Sequence, residues 1–279
     1  METISKIKAA ELLGVSRKSI HRWINNGFLV LIENQLNIDD ILKLKNEKFV
    51  GFKKFVWDYD FFSLKNVATT YWSGFMMGDG NIRKYQKSNS YQINLTISQN
   101  DKSHLEKFCE SINLNKDKIK QIKGKDIKFG EKIIKSGPQV SVRISDLRLQ
   151  DDLIKWGVIP DKTHNFIEPT FDLKFLGHYL RGWIDADGSI RRKSSQHVNS
   201  GPQIQLTGNP NTINWLYSNL KIFLPEIHIT NSIQVNNRVL YISGYKNCNK
   251  LYNFCDGSNV LRLDRKWSML DFLQTFQST

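Results

Sequence analysis

A nine-residue phrase occurs twice in this chain of 279 residues. Residues 72–80 read WSGFMMGDG and residues 180–188 read LRGWIDADG, so their third-position glycines, Gly74 and Gly182, lie 108 residues apart (182 − 74 = 108). Both phrases are apolar and end in a small residue followed by Asp and Gly. A helical phrase repeated at the length of a small domain predicts two similar half-domains that share a helix–helix interface.

Small residues within the phrases predict that the two helices pack closely. They recur at a spacing of four, at Gly74 and Gly78 in one copy and at Gly182 and Ala186 in the other. Small side chains on one helix face let two backbones approach each other. The glycines that end the phrases, Gly80 and Gly188, are typical of a left-handed stop at a helix C-terminus.

Each phrase carries an aspartate in what should be the last helical turn. There the helix dipole is negative, so Asp79 and Asp187 would need a cation. Two such ends side by side would add the unpaired carbonyl oxygens of Gly78 and Ala186. This oxygen-rich set predicts a site for a hard divalent ion such as Mg²⁺. A core helix with a solvated aspartate would explain one copy equally well, but the duplication favours the metal site.

The two phrases resemble the signature of the LAGLIDADG homing endonucleases, in the single-chain form with both motifs. The resemblance extends from about Val56 to the C-terminus. It implies an α+β fold in which two pseudo-symmetric αββαββα half-domains form a saddle over duplex DNA. The family's metal-binding carboxylate matches Asp79 and Asp187. Its sixth motif position is Met77 in one copy and Asp185 in the other, so we exclude Asp185 from the catalytic set.

The resemblance also implies three catalytic side chains outside the motifs. Lys162 in WGVIPDKTHN and Lys266 in LRLDRKWSM match a family lysine that reaches the cleavage centre. Such a lysine would stabilise developing phosphorane charge or organise the attacking water. Gln99 matches a water-positioning residue, whereas the second half has Gly208 and Asn209 at that place.

The segments that follow each motif predict sheets with one polar face. Apolar and polar residues alternate over 91–98, and the pattern returns weakly over 203–207. The polar face carries amides and hydroxyls, which pair with base edges in a major groove. The residues expected to read bases are Gln92, Asn94, Thr96, Ser98, Ser141, Arg143, Gln203, Gln205 and Thr207. Those expected to contact phosphates are Arg83, Lys84, Arg191, Arg192 and Lys193. An antiparallel sheet with one solvated face would give the same alternation.

A small domain is predicted ahead of the repeats. Ala10, Gly14 and Ile20 have the spacing of a helix-turn-helix and resemble the excisionase-type and MerR-type domains. Ser16 would cap the second helix. That helix would expose a basic recognition face formed by Arg17, Lys18, His21 and Arg22. A wing hairpin over 28–36 and a third helix over 38–45 should follow. A three-helix protein-interaction module is the alternative.

The charge balance agrees with a nucleic-acid partner. Lys and Arg total 40 against 27 Asp and Glu, which gives +13 and an isoelectric point near 9.5. An anionic membrane would also attract such a chain, but the sequence has neither a long apolar run nor a signal-peptide pattern. The three cysteines form no CxxC pair, so neither a zinc site nor a disulfide framework is indicated. We expect a cytoplasmic protein of a bacterial or phage-infected cell.

The expected organisation is a helix-turn-helix domain over 1–48, a linker over 49–60, and half-domains over 61–168 and 169–279. The expected function is that of a homing endonuclease of a mobile element or intron, which makes staggered double-strand breaks with Mg²⁺. It would act as a monomer on a long duplex target. Two alternatives stay open: an intron RNA maturase of the same fold, and a catalytically inactive helix-turn-helix regulator.

Overall fold

The computed structural model describes residues 2–25, 27–46, 57–85, 90–129, 132–146, 149–192, 201–234 and 237–278. The chain divides into two compact units, Met1–Val56 and Trp57–Thr279. Within the described ranges, no helix is long and apolar enough to cross a membrane. The boundary between the two expected half-domains, which falls inside the larger unit, stays a prediction.

The N-terminal unit consists of three short helices and a small sheet. Its elements are β1 (Thr3–Ile4), α1 (Lys6–Leu13), α2 (Arg17–Asn25), β2 (Leu31–Ile32), β3 (Gln35–Asn37) and α3 (Ile38–Asn46). The strands are ordered β1-β3-β2 and are antiparallel. The β2–β3 hairpin and α3 overlap the ranges predicted for the wing and the third helix, and the helix-turn-helix domain itself stays a prediction.

The turn between α1 and α2 has the expected local chemistry. Gly14 ends α1 with φ 64°, a left-handed conformation that glycine adopts without strain. The Ser16 hydroxyl accepts a hydrogen bond from the Ser19 amide at 3.2 Å, as predicted for a cap. Ala10 and Ile20 are buried in a shared core. The basic residues of α2, namely Arg17, Lys18, His21 and Arg22, are exposed. Their contact with DNA stays a prediction.

The larger unit contains two copies of one arrangement. The first copy has α4 (Val67–Gly78), β4 (Gly80–Tyr85), β5 (Ser90–Ser98), α5 (Lys102–Ser111), β6 (Lys120–Ile122), β7 (Asp126–Phe129), β8 (Lys132–Lys135), β9 (Gln139–Asp146) and α6 (Leu149–Lys155). The second has α7 (Leu176–Asp187), β10 (Ser189–Arg191), β11 (Gln203–Gly208), α8 (Pro210–Phe223), β12 (Ile229–Gln234), β13 (Asn237–Ser243), α9 (Tyr245–Phe254) and α10 (Asp264–Trp267).

The two main sheets have the same antiparallel strand order. They run β4-β5-β9-β6 and β10-β11-β13-β12, so in each copy the second and fourth main strands lie at the centre. The β7–β8 hairpin is inserted between β6 and β9 in the first copy, whereas β12 and β13 pair as successive strands in the second. Apart from this insertion, the arrangement is the predicted αββαββα repeat, and the α+β fold class is confirmed.

Side-chain alternation decides which face of each sheet is covered. On β5, the side chains of Tyr91, Ile93, Leu95 and Ile97 are buried, as the sequence predicts. Helices α5 and α6 contact β5, while α8 and α9 contact β13 in the other sheet. Burial of these apolar faces excludes a register shift, because moving a strand by one residue would expose its whole apolar set. The polar side chains of both sheets are thereby directed away from the helices.

The motif helices α4 and α7 form the interface between the two copies. A Cβ atom added to Gly74 would lie 1.9 Å from the Tyr179 carbonyl oxygen, and one added to Gly182 would lie 2.0 Å from that of Tyr71. No side chain fits at such distances, so the helix backbones touch where the small residues occur. The close packing predicted from these glycines is confirmed.

The prediction of left-handed helix stops after the motifs is wrong. Gly188 has φ −77° and ψ 161°, an extended conformation, and Gly80 begins β4 without a positive φ. Glycine is required there for space: a Cβ on Gly80 would lie 2.5 Å from the Met76 carbonyl oxygen, and one on Gly188 would lie 2.7 Å from that of Ile184. The chain turns directly from helix to strand and passes close to the preceding turn.

Candidate active site

The two motif helices end side by side and bring their aspartates to one junction. Asp79 directly follows the last residue of α4, and Asp187 is the last residue of α7. A Cβ atom added to Gly78 would lie 2.3 Å from the Ala186 Cβ and 3.1 Å from the Asp187 carboxylate oxygen Oδ2. Asp79 is half-buried and Asp187 is more exposed. The fold therefore unites two carboxylates that lie 108 residues apart (187 − 79 = 108).

The junction disfavours negative charge on these carboxylates. Burial, together with repulsion from Asp187, raises the pKa of Asp79 from 3.8 to about 6, against the opposing effect of Lys266 and Lys162. Partial desolvation also raises the pKa of Asp187, and the same two lysines oppose this rise. The nearby positive charge therefore does not fully compensate the carboxylates, which is the electrostatic condition for binding a cation.

Both lysines implied by the family resemblance lie at the motif helix ends. The Lys266 amine is buried and donates hydrogen bonds to the carbonyl oxygens of Ile184 at 2.9 Å, Asp185 at 2.7 Å and Gly188 at 2.7 Å. The half-buried Lys162 amine donates to the Gly80 carbonyl oxygen. Lys266 thus satisfies carbonyls that the α7 terminus leaves unpaired, whereas Lys162 binds the first residue of β4, directly after Asp79.

Lys266 also touches a carbonyl that was predicted to hold a metal ion. Its amine lies 3.3 Å from the Ala186 carbonyl oxygen, a longer contact than those to Asp185 and Gly188. Burial lowers the pKa of both Lys266 and Lys162, while the neighbouring aspartates act in the opposite direction. The lysine charges therefore lie within the same electrostatic cluster as the carboxylates.

A cavity opens beside each aspartate. The cavity at Asp187 has a volume of about 260 Å³, and Gly78, Lys162 and Asn209 contribute to its wall. The cavity at Asp79 has a volume of about 180 Å³. Its wall includes Thr96 and Ser98 of the first half together with Asp185, Leu263 and Arg265 of the second. Each aspartate thus faces a space that residues of both halves enclose.

Two contacts between the halves hold the lysine-bearing segments in place. Arg265, next to Lys266, makes a bidentate ion pair with Asp101, with both N···O distances at 2.8 Å. In the other direction, the Asn209 amide donates to the Thr163 carbonyl oxygen at 3.0 Å, beside Lys162. Sequence reasoning missed these contacts. The only available signal was that Asp101 and Asn209 each precede the helix that follows the second strand.

Asp185 is buried and held by hydrogen bonds from other parts of the chain. Its carboxylate is 1% exposed and accepts hydrogen bonds from the Tyr71 hydroxyl at 2.6 Å, the Leu263 amide at 2.8 Å and the Trp267 indole at 2.6 Å. The Tyr71 hydroxyl also contacts His104 Nε2 at 2.8 Å. Three donors occupy the carboxylate, and this agrees with its exclusion from the catalytic set.

The polar face of the first sheet contains a connected set of side chains. The Ser141 hydroxyl donates to the Asn94 side-chain oxygen at 2.7 Å and accepts from Thr96 at 2.9 Å. Ser141 is 5% exposed, so its hydroxyl orients the Asn94 side chain and is not itself accessible at the surface. Gln92 is half-buried, whereas Ser98 and Arg143 are exposed. In the second sheet, Gln203, Gln205 and Thr207 are half-buried on the equivalent face.

The basic residues beyond the aspartates separate onto two faces. Arg83 and Arg191 are exposed and oppose Gln92 and Gln203 across the strand pairs, so they share the polar face. Lys84 is directed to the other side, with its amine 5.8 Å from the centre of the Tyr91 ring. The Arg192 guanidinium lies 4.7 Å from the centre of the Phe272 ring. Lys193 lies outside the described residues.

Gln99 begins a short 3₁₀ turn after β5. Its backbone N–H donates to the Pro138 carbonyl oxygen at 3.0 Å, and its side chain is exposed. Neighbouring Ser98 lines the cavity at Asp79, whereas Gln99 lines neither of the cavities described above. The predicted role of Gln99 in positioning water stays a prediction.

Several solved structures resemble this chain, including these three. The homing endonuclease I-WcaI bound to its DNA recognition sequence matches with a TM-score of 0.53 and 13% identity, over 82% of this chain and 92% of that one. The LAGLIDADG meganuclease I-AabMI bound to uncleaved DNA matches with a TM-score of 0.44 and 14% identity, over 76% and 90%. The N-terminal LAGLIDADG domain of DUF199/WhiA matches with a TM-score of 0.42 and 15% identity, over 70% and 84%.

The match to I-WcaI shows a shared fold. No protein-family model matches this sequence, and no curated protein sequence matches it either. At 13% identity, the likeness extends to the arrangement of helices and strands. The repeated sheets and the paired motif helices therefore belong to a LAGLIDADG fold.

Proposed function

We propose that this protein, with its two-motif LAGLIDADG fold, is a site-specific DNA endonuclease that breaks both strands by metal-dependent phosphodiester hydrolysis. The observation that carries the proposal is the junction of two helix ends, where Asp79 and Asp187 meet beside Lys162 and Lys266. Two carboxylates that are only partly compensated and two ammonium groups that are at least partly buried together form a site that suits a metal ion and a phosphodiester. In this proposal the cuts are staggered and the gene belongs to a mobile element or intron.

The donor set fits a hard cation. Within the described ranges, no group of three or more His, Cys, Asp and Glu side chains is arranged to hold a metal ion. Mg²⁺ does not need such a cage, because it binds through one or two carboxylates together with water and substrate phosphates. Asp79 and Asp187 would hold it, with the carbonyl oxygens of Gly78 and Ala186 nearby. A bound divalent ion supplies Lewis-acid stabilisation of phosphoryl charge and acidifies the attacking water.

The chain's own residues would supply charge and order at this centre. Lys162 and Lys266 are fixed by hydrogen bonds to carbonyls at or just beyond the motif helix ends, so their positive charge is already in place when the phosphate becomes more negative. Asp101 and Asn209 hold the segments that carry these lysines and thus act as positioning residues. Gln99 is proposed to orient water on one side only, since the second half has no glutamine there.

DNA recognition is assigned to the polar faces of the two sheets. Amide and hydroxyl side chains there have the chemistry to read base edges in a major groove. The net charge of +13 supplies the sequence-independent attraction to phosphates. The exposed basic residues of α2 are proposed to add a second contact, so that the N-terminal unit contributes affinity rather than chemistry. A single chain with both halves would act as a monomer.

Cleavage of a plasmid library with randomised inserts tests the proposal. The wild-type chain with Mg²⁺ should linearise a subset of plasmids and cut a recovered site on both strands. Asp79→Asn or Asp187→Asn should abolish double-strand cleavage while binding the recovered site within ~3-fold of wild type, because an amide is a poorer cation ligand than a carboxylate. Asp117→Asn, on an exposed turn, is the matched control and should cleave normally.

If either motif variant cuts both strands at the wild-type rate, the carboxylates do not hold the catalytic ion. If the chain cleaves no DNA and binds structured intron RNA as tightly as duplex DNA, the maturase alternative replaces the nuclease. Duplex binding with no cleavage under any divalent ion would instead favour the inactive regulator.

A further inference from the structure

A row of three polar side chains crosses the first sheet at one level. Arg83 on β4 pairs with Gln92 on β5, which pairs with Ser145 on β9. Side chains of directly opposed residues lie on the same face of an antiparallel sheet, so the three stand together on the polar face. The Gln92 amide nitrogen donates to the Ser145 hydroxyl at 3.0 Å, which fixes the glutamine. Arg83 and Ser145 are exposed.

The second sheet repeats this row with the same three residue types. Arg191 on β10 pairs with Gln203 on β11, which pairs with Ser243 on β13. The Gln203 amide nitrogen donates to the Ser243 hydroxyl at 3.3 Å. Arg191 follows its motif aspartate, Asp187, by four residues, as Arg83 follows Asp79. The two rows therefore occupy the same level of the two half-domains.

The rows nearer the motif helices are not repeated. In the first half, Asn81 pairs with Asn94, and Asn94 pairs with Arg143. In the second half the equivalent positions are Ser189, Gln205 and Tyr241. Two residues along a strand correspond to roughly 7 Å, which matches about two base-pair steps of duplex DNA. Of these two rows, the outer one therefore has the same residue types in both halves and the inner one does not.

Identical side chains at one level of two related sheets present the same hydrogen-bonding pattern to DNA. Arginine pairs with the O6 and N7 acceptors of guanine, and glutamine pairs with N6 and N7 of adenine, so purine N7 is an acceptor for both. The serine holds the glutamine in one orientation, and this makes the preference of the glutamine for one base more selective. The strand register places Lys84 on the opposite face of the first sheet, so the row that contains Arg83 is not simply part of a diffuse basic patch.

We propose that the two Arg–Gln–Ser rows read the same purine in inverted orientation in the two half-sites, at equal distances from the cleavage centre. About two base pairs closer to the centre, the half-sites differ, because Asn94 and Arg143 are replaced by Gln205 and Tyr241. This inference rests on the proposed function and specifies its target: an otherwise asymmetric site with one symmetric pair of positions. It assigns Arg83 and Arg191 to base recognition rather than to phosphates alone.

The test selects bound duplexes from a randomised pool with the full chain in EDTA, so that binding is read without cleavage. The recovered site should carry one purine twice, inverted and equidistant from its centre. Gln92→Ala should relax the preference at one of these positions by about tenfold, and Gln203→Ala should relax it at the other. Asn94→Ala is the matched control and should relax a position nearer the centre without affecting the symmetric pair.

Two further variants separate base reading from charge. Arg83→Lys and Arg191→Lys keep the positive charge but lose the bidentate fork, so each should reduce the purine preference at its own position. Thermal unfolding should match wild type for every variant that is compared. Different bases at the two positions of a defined site, or equal weakening of all sequences by the glutamine variants, would overturn the inference alone. A selection that enriches no duplex would overturn the proposed DNA function as well.

Discussion

Asp79→Asn should stabilise the protein in the absence of metal ions. In the folded chain the Asp79 pKa lies at about 6, against 3.8 for an unperturbed aspartate, because the carboxyl is partly buried and faces Asp187. A pKa raised from 3.8 to about 6 corresponds to about 3 kcal/mol between the two protonation states. Asp79 is only half-buried, so solvent screening reduces this, and we expect about 1–3 kcal/mol.

The sign of the pH dependence follows from proton binding. Between pH ~4 and ~6 the folded protein keeps the Asp79 proton, which the unfolded chain has already released. The free energy of unfolding of the wild type should therefore fall as pH rises through this window and then level off. Asparagine cannot ionise, so the variant should lose this part of the fall. The gain should be largest above pH ~6 and absent below pH ~4.

Urea unfolding in EDTA, followed by tryptophan fluorescence, provides the measurement. Six of the seven tryptophans lie in the larger unit, including the buried Trp72 and Trp183 on the motif helices, so the signal reports mainly on that unit. Adding Mg²⁺ should raise the midpoint of the wild type more than that of Asp79→Asn, because the ion binds only the folded state. If the variant is less stable than the wild type at pH 8 in EDTA, the carboxylate is not electrostatically disfavoured and the reasoning fails.

Three further predictions concern packing, the lysine and the N-terminal unit. Gly74→Ala should destabilise the larger unit by about 3 kcal/mol or more, because the added methyl would lie 1.9 Å from a carbonyl oxygen of α7. Gly137→Ala is the control: its methyl would meet nothing within 4 Å, so this variant should be near neutral in thermal melts. Lys266→Met should lower the single-turnover cleavage rate by about 100-fold or more with little change in duplex affinity, and equal rates would remove this lysine from the centre. A chain truncated to Trp57–Thr279 should still cleave its site but need more protein, and a folded yet inactive truncated chain would show that the N-terminal unit is part of the catalytic machinery.

Local patterns were sufficient to predict the repeated architecture. The phrase at a constant offset predicts two helices with one shared interface, since glycine is the residue that lets backbones touch at Gly74 and Gly182. Alternation over 91–98 predicts which face of β5 is buried, because the side-chain period of a strand is two. Such signals depend on neighbours in the chain, and a single sequence contains them in full.

Contacts between distant segments required the tertiary structure. The Asp101–Arg265 pair joins residues 164 positions apart, and no local pattern relates them. The three donors around Asp185 likewise come from other elements. The sequence by itself shows only that the first motif has Met77, and no carboxylate, at the position of Asp185. The extended conformation of Gly188 shows the same limit. Glycine permits both a left-handed stop and a close passage over a helix turn, and only the path of the following strand decides between them.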